Sequence, residues 1–139
     1  MSTVFPSSAA ASARMKANPG RDTSPERRLR SELHRRGYRF RVHRRLVLGA
    51  TSVRPDILFP RERIAIYVDG CFWHGCPDHG TRPKANERFW AEKFAANAAR
   101  DWRANEALRG AGWNVIRIWE HVGPAEAAER VAQALRAAR

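Results

Sequence analysis

At 139 residues, 43% hydrophobic and 29% charged, the chain has the composition of one compact domain with its own core and is not that of a disordered polymer. A net charge of +12, supplied mostly by arginine, repels the domain from itself and draws it to a polyanion, nucleic acid first among them. No run is apolar enough to span a bilayer and MSTVFPSSAAASARMK lacks the apolar core of a secretory signal, so no membrane partner and a cytoplasmic, nucleoid-associated location are expected.

Residues 1–22, rich in Ser and Ala and carrying Arg14, Lys16 and Arg21, predict a flexible basic arm ahead of a folded domain over 23–139. The first helix starts at a cap, Thr23 or Ser24, with Pro25 in its first turn and Glu26 placed to close a capping box with Thr23. Leu29 and Leu33 share its buried face, and Gly37 ends it. YRFRVH at 38–43 alternates as a strand, with Tyr38, Phe40 and Val42 inward. VRPDILF at 53–59 reads as a second strand, at an edge or beginning near Pro55, and ERIAIYVDG at 62–70 as a third. The short PRER connection makes the second and third a hairpin. A long helix runs from Asn86, its expected cap, to Arg109; GWNVIRIW at 112–119 is a strand, and Pro124 opens a last Ala-rich helix. This order predicts a single-domain mixed α/β sheet flanked by helices.

Between the third strand and the long helix lies VDGCFWHGCPDHG, residues 68–80, holding both cysteines of the chain. Two close cysteines in a cytoplasmic protein point to a metal before a disulfide. Cys71, Cys76 and His79 offer three of the four N or S ligands that a structural Zn2+ requires, and the fourth is either His121, just past the last strand, or His74 within the loop. Phosphodiester hydrolysis calls for a hard divalent cation on carboxylates, and Asp56 and Asp69 converge if the hairpin forms. Glu26 is either a further acid of that site or a capping-box glutamate. His74 is a candidate general base, whereas His34 and His43, among arginines, are expected at the surface. Phe72, Trp73 and Trp90 either pack the loop or stack against bases; Trp102 and Trp113 are expected in the core or on a helix face. Arg82, Lys84, Arg88 and Lys93 are candidate phosphate contacts.

Taken together, RPD (54–56), VDGCFWHGCPDH (68–79), FWAEK (89–93) and GWNVIRIWEH (112–121) resemble the very-short-patch repair (Vsr) DNA mismatch endonucleases, over residues 11 to 138. That resemblance implies the PD-(D/E)xK, restriction-endonuclease-like fold. It also implies magnesium-dependent nicking of double-stranded DNA on the 5′ side of the thymine in a T:G mismatch left by deaminated 5-methylcytosine. By the same resemblance Asp56 is the metal-binding aspartate, His74 the catalytic histidine and Glu26 a supporting glutamate. Cys71, Cys76, His79 and His121 become the zinc ligands, Phe72, Trp73 and Trp90 the intercalating aromatics, and the segment around Met15 a groove-reaching arm, with Lys93 on the DNA. Two departures stand out: Val68-Asp69 replaces a Thr-His pair, leaving Val68 only its main-chain carbonyl for Mg2+ while Asp69 adds a carboxylate, and Cys71 occupies the position of the superfamily's lysine. A cytosine-5 DNA methyltransferase as genomic neighbour, mismatch-repair proteins as partners and a monomeric state are expected as well. Two alternatives remain: a related nicking endonuclease for other modified or unmodified DNA, and a non-catalytic zinc-dependent DNA-binding module.

Overall fold

The computed structural model describes residues 24–71 and 86–139. Helix α1 (Ser24–Arg35) is followed by β1 (Arg41–Val42), a hairpin of β2 (Leu46–Leu48) and β3 (Thr51–Val53), then β4 (Ile57–Phe59) and β5 (Ile64–Asp69). After the loop come α2 (Glu87–Gly110), β6 (Asn114–Trp119) and α3 (Pro124–Ala138). The main sheet runs β1-β4-β5-β6, antiparallel except for the parallel pair β5–β6. A parallel pair needs a long crossover, and α2 lies between these two strands in the chain.

Period-two alternation along β5 divides the interior into two layers. Ile64 and Ile66, with Ile57 and Phe59 of β4, pack with Leu29 and Leu33 of α1 and with Ala127, Ala128, Val131 and Leu135 of α3. Ala65 and Leu58 pack on the other side with Leu108 of α2 and Val53 of β3. Covering each such leucine or isoleucine contributes about 1.5–3 kcal/mol relative to leaving it in water, and that drives helices onto both faces. The mixed sheet flanked by helices is therefore as expected from the sequence. Among the described residues no helix is long and apolar enough to cross a membrane.

Local departures have physical causes. Gly37 does end α1, at φ 91°, with Tyr38 N–H returning to the Leu33 carbonyl. The expected strand at 38–43 shrinks to two residues, and Val42 is 39% exposed instead of inward, because His43 leaves the strand with φ 51°. The span 53–59 is not one strand: Val53 closes the β2–β3 hairpin, which turns at Gly49 with φ 65°, and β4 begins only after Pro55. Pro55 thus marks a strand start, for β4 is an interior strand and the edge option falls away. The β4–β5 hairpin across residues 60–63 forms in the expected register, Phe59 opposite Ile64. Asn86 precedes α2 in the left-handed region (φ 56°), but its side chain makes no capping bond. Trp113 packs against the α2-side layer as expected, whereas Trp102 is 64% exposed.

Candidate active site

The end of β4 is where the site begins. Asp56 sits one residue before the ladder, and its N–H still bonds the Ile66 carbonyl at 3.0 Å. Its side chain then extends the pairing, Oδ2 accepting the Val68 N–H at 2.7 Å. The backbone hairpin therefore fixes where this carboxylate points. From the first turn of α1, Glu26 enters the same space at 1% exposure, its carboxylate engaged by Arg30. His43 completes the cluster: Nε2 lies 2.7 Å from Glu26 Oε2, and one ligand atom each from Glu26, His43 and Asp56 all fall within 4.8 Å of one another.

Charge at this point is costly. Burial, with the nearby Glu26 charge adding to it, pushes the Asp56 carboxyl up to about 7, against the pull of the Val68 N–H bond and of His43. A carboxylate raised in the fold destabilises its ionised form. The stability this group contributes is complete below its unfolded value of 3.8 and is lost as pH rises through about 7. Asp56→Asn, in metal-free protein, is therefore expected to gain stability over the wild type from about pH 4 upward, levelling off above pH 7 at no more than about 4 kcal/mol. Urea melts of both proteins between pH 4.5 and 8.5 check this; a difference that shrinks with rising pH would contradict it.

Asp69 has a different setting. Val68 and Asp69 point to opposite faces of β5, and Asp69 meets Arg117 of β6 at 2.9 Å on the α2 face. The same guanidinium lies 3.5 Å from Asp101, bonds Asn105 at 2.9 Å and stacks 4.0 Å above the Tyr67 ring. The Asp69 charge adds to the upward push on Asp56, but Asp69 is outside the Glu26–His43–Asp56 group.

Past the strand ends, parallel pairing carries on. Asp69 is opposite Trp119, so two residues further Cys71 faces His121, with Sγ 3.3 Å from Nδ1. Glu120 secures the turn by accepting the Cys71 N–H at 3.2 Å. Two of the four expected zinc ligands are thus together, fifty positions apart in the chain. Adjacent ligand atoms of a tetrahedral Zn2+ lie about 3.5 Å apart, so the spacing suits one.

Several candidates, Met15, Phe72, Trp73, His74, Cys76 and His79 with Arg82 and Lys84, lie outside the described residues. Trp90 is only 9% exposed and packs edge-on against Phe89 at 5.1 Å, so the ring offered to solvent at the start of α2 is Phe89, 50% exposed, with Lys93 Nζ 5.5 Å over it. His43 is the residue that sequence reasoning missed. The expected surface position is corrected, since its side chain is half-buried between α1 and β4 at 13% exposure. Strand alternation put it with Arg39 and Arg41, and no periodic signal anticipates a left-handed residue.

A mixed sheet with helices on both faces, two acids gathered away from bulk solvent at the end of an interior strand and a strongly basic chain define a nuclease-like α/β protein. The family model for DNA mismatch endonuclease Vsr matches residues 4–79. Over 117 residues the chain is 47% identical to the type II nicking enzyme V.NaeI of Lentzea aerocolonigenes, covering 84% of this chain and 70% of that one. It is 45% identical over 104 residues to the type II nicking enzyme V.XorIIP of Xanthomonas oryzae pv. oryzae, covering 72% and 71%. To the DNA mismatch endonuclease Vsr of Escherichia coli K12 it is 37% identical over 107 residues, covering 76% and 66%. The chain belongs to the DNA mismatch endonuclease Vsr family, within the PD-(D/E)xK nuclease superfamily, and is a DNA endonuclease of the nicking type.

Proposed function

We propose that this chain cuts one strand on the 5′ side of the thymine in a T:G mismatch left by deaminated 5-methylcytosine, as the first step of very-short-patch repair. The observation that carries the chemistry is the pairing of buried Glu26 with half-buried Asp56, two acids in one small space whose joint charge burial opposes. Such a donor set fits a hard divalent cation, because oxygen ligands suit Mg2+ and its charge offsets theirs. Asp56 would hold Mg2+, with the Val68 main-chain carbonyl as the further expected contributor, whereas Asp69, expected from the sequence to join them, faces Arg117 on the other side of β5. When bound, the ion neutralises phosphate charge and makes water a better nucleophile at neutral pH. Glu26 keeps a second negative charge beside Asp56. His74 takes the proton of the attacking water, and the products are a 5′-phosphate and a 3′-hydroxyl.

Cys71, Cys76, His79 and His121 are proposed as ligands of a structural Zn2+, which leaves His74 for the proton. Residues 1–22 act as an arm on the DNA around Met15, ahead of the catalytic domain over 23–139. Phe72, Trp73 and Trp90 wedge beside the mismatch, where a wobble pair stacks less well than its neighbours and opening costs less. Replacing Phe72 and Trp73 together by Ala is expected to reduce the preference for mismatched over fully paired duplex by about tenfold or more, at one or two kcal/mol per lost stacking contact. Nicking rates on the two duplexes check this, and an unchanged ratio would remove the wedge.

The chain is proposed to act as a cytoplasmic monomer, near a cytosine-5 DNA methyltransferase gene and with mismatch-repair proteins as further partners. A second reading, a nickase for a different DNA context, is favoured by one observation: identity to two relatives named as type II nicking enzymes exceeds that to the Escherichia coli enzyme, 47% and 45% against 37%. Assays on a panel of duplexes, with T:G in varied flanking sequence and with paired or methylated controls, test both. Cleavage of paired duplex as fast as mismatched duplex would overturn the T:G assignment.

A further inference from the structure

The geometry points to His43 as a positioning residue that clamps the two carboxylates of the active site together, one through its main chain and the other through its side chain. The inference rests on the Glu26–Asp56 reading above and deepens it. Three observations meet at this residue. Its N–H donates to the Asp56 carbonyl at 3.2 Å, one step beyond the β1–β4 ladder. Its φ of 51° is in the left-handed region, which a branched or bulky residue seldom adopts and which persists when surroundings hold it there. Its Nε2 lies 2.7 Å from Glu26 Oε2 with the side chain 13% exposed. The left-handed twist is what turns the imidazole inward: with extended dihedrals the side chain would follow Arg41 outward.

Arg30 meets the same Oε2 from within α1, so Glu26 is held by its own helix on one side and by the sheet on the other. Of these two contacts, the second is the one that reaches across to the residue paired with Asp56, beside the apolar packing of Leu29 and Leu33 on β4. Without it the helix-borne acid keeps a partner but loses this polar tie to the strand-borne one. The role needs a polar group of the right reach on a backbone that accepts positive φ, and it involves no proton transfer by His43.

Two variants of the full-length protein separate reach from folding. Asn tolerates the left-handed region, so His43→Asn keeps the backbone yet has too short a side chain to reach Glu26. His43→Gln has the reach and a non-titrating N–H donor. His43→Asn is expected to lower kcat on the fastest-nicked duplex of the panel about ten- to a hundredfold, with KM for DNA within about twofold, as for loss of a residue supporting a metal ligand. It is also expected to weaken Mn2+ binding to the DNA-free protein, followed by electron paramagnetic resonance, about tenfold. His43→Gln is expected to recover both readouts to within about threefold of wild type, since a polar group at that reach and not the ring is what matters.

The proposal requires the loss in both readouts and the recovery in both. A His43→Asn protein with wild-type kcat or wild-type Mn2+ affinity overturns it, as does a His43→Gln protein no better than His43→Asn. Asp56→Asn in the same assays keeps the two levels apart. If it nicks like wild type, the carboxylate site itself is misassigned; if it is inactive while His43→Asn is not, only the clamp fails.

Discussion

Asp56→Asn is expected to lower the single-turnover nicking rate by about a thousandfold at saturating Mg2+, while DNA affinity in the absence of metal changes by less than about threefold. The substitution is nearly isosteric, and its amide oxygen can still accept the Val68 N–H that Asp56 Oδ2 accepts at 2.7 Å. Strand geometry at the end of β4 is therefore retained and only the charge is removed. A thousandfold is about 4 kcal/mol of barrier, the scale of charge stabilisation a bound divalent ion supplies. Raising Mg2+ does not restore the rate, because the ligand and not the occupancy is lost. Quench-flow nicking of a T:G duplex, with fluorescence anisotropy for binding, checks both halves. A variant within tenfold of wild type would move the chemistry elsewhere, and a wild type that binds but never nicks would restore the DNA-binding-module alternative.

Loss of the Cys71 thiolate is expected to cost the fold more than any surface change. Purified protein is expected to contain stoichiometric zinc. Cys71→Ser, or a strong chelator on the wild type, is expected to lower Tm by roughly 10 °C or more, as metal binding is folding free energy where a site does not preform in the unfolded chain. The thiol is 1% exposed and 3.3 Å from His121 Nδ1, and it joins the ends of β5 and β6. Elemental analysis and thermal melts with and without chelator decide the matter. Zinc-free protein, together with a serine variant melting within about 2 °C of wild type, would reduce the pair to a buried cysteine–histidine contact.

The contrast between Asp56 and Asp69 shows how far pattern reading reaches. Both acids were legible as candidates, since each stands at a strand end beside an apolar run. Which of them meets Glu26 was not. Alternation put Val68 and Asp69 on opposite faces, but only the sheet order, with β6 on the far side of β5, supplies Arg117 as the partner of Asp69. The β2–β3 hairpin went unread for a related reason. LVLGATSV is short enough to pass for a loop between stronger strands, and its apolar residues are explained only by the α2 side of the core that they help to cover.

The sequence by itself determined the helices and the main strands, the two-faced alternation of β5, and the gathering of reactive side chains at 68–80, because periodicity and turn chemistry are local and the chain carries them wherever it folds. Even the meeting of Cys71 with His121 follows from local strands once they are known to run parallel. Tertiary structure alone decided the grouping of Glu26, His43 and Asp56, for it depends on where a helix settles across a sheet and on one residue forced to a positive φ. A left-handed histidine is unfavourable in isolation. It is held by contacts from the first helix and from the strand bearing Asp56, which the chain brings together only on folding.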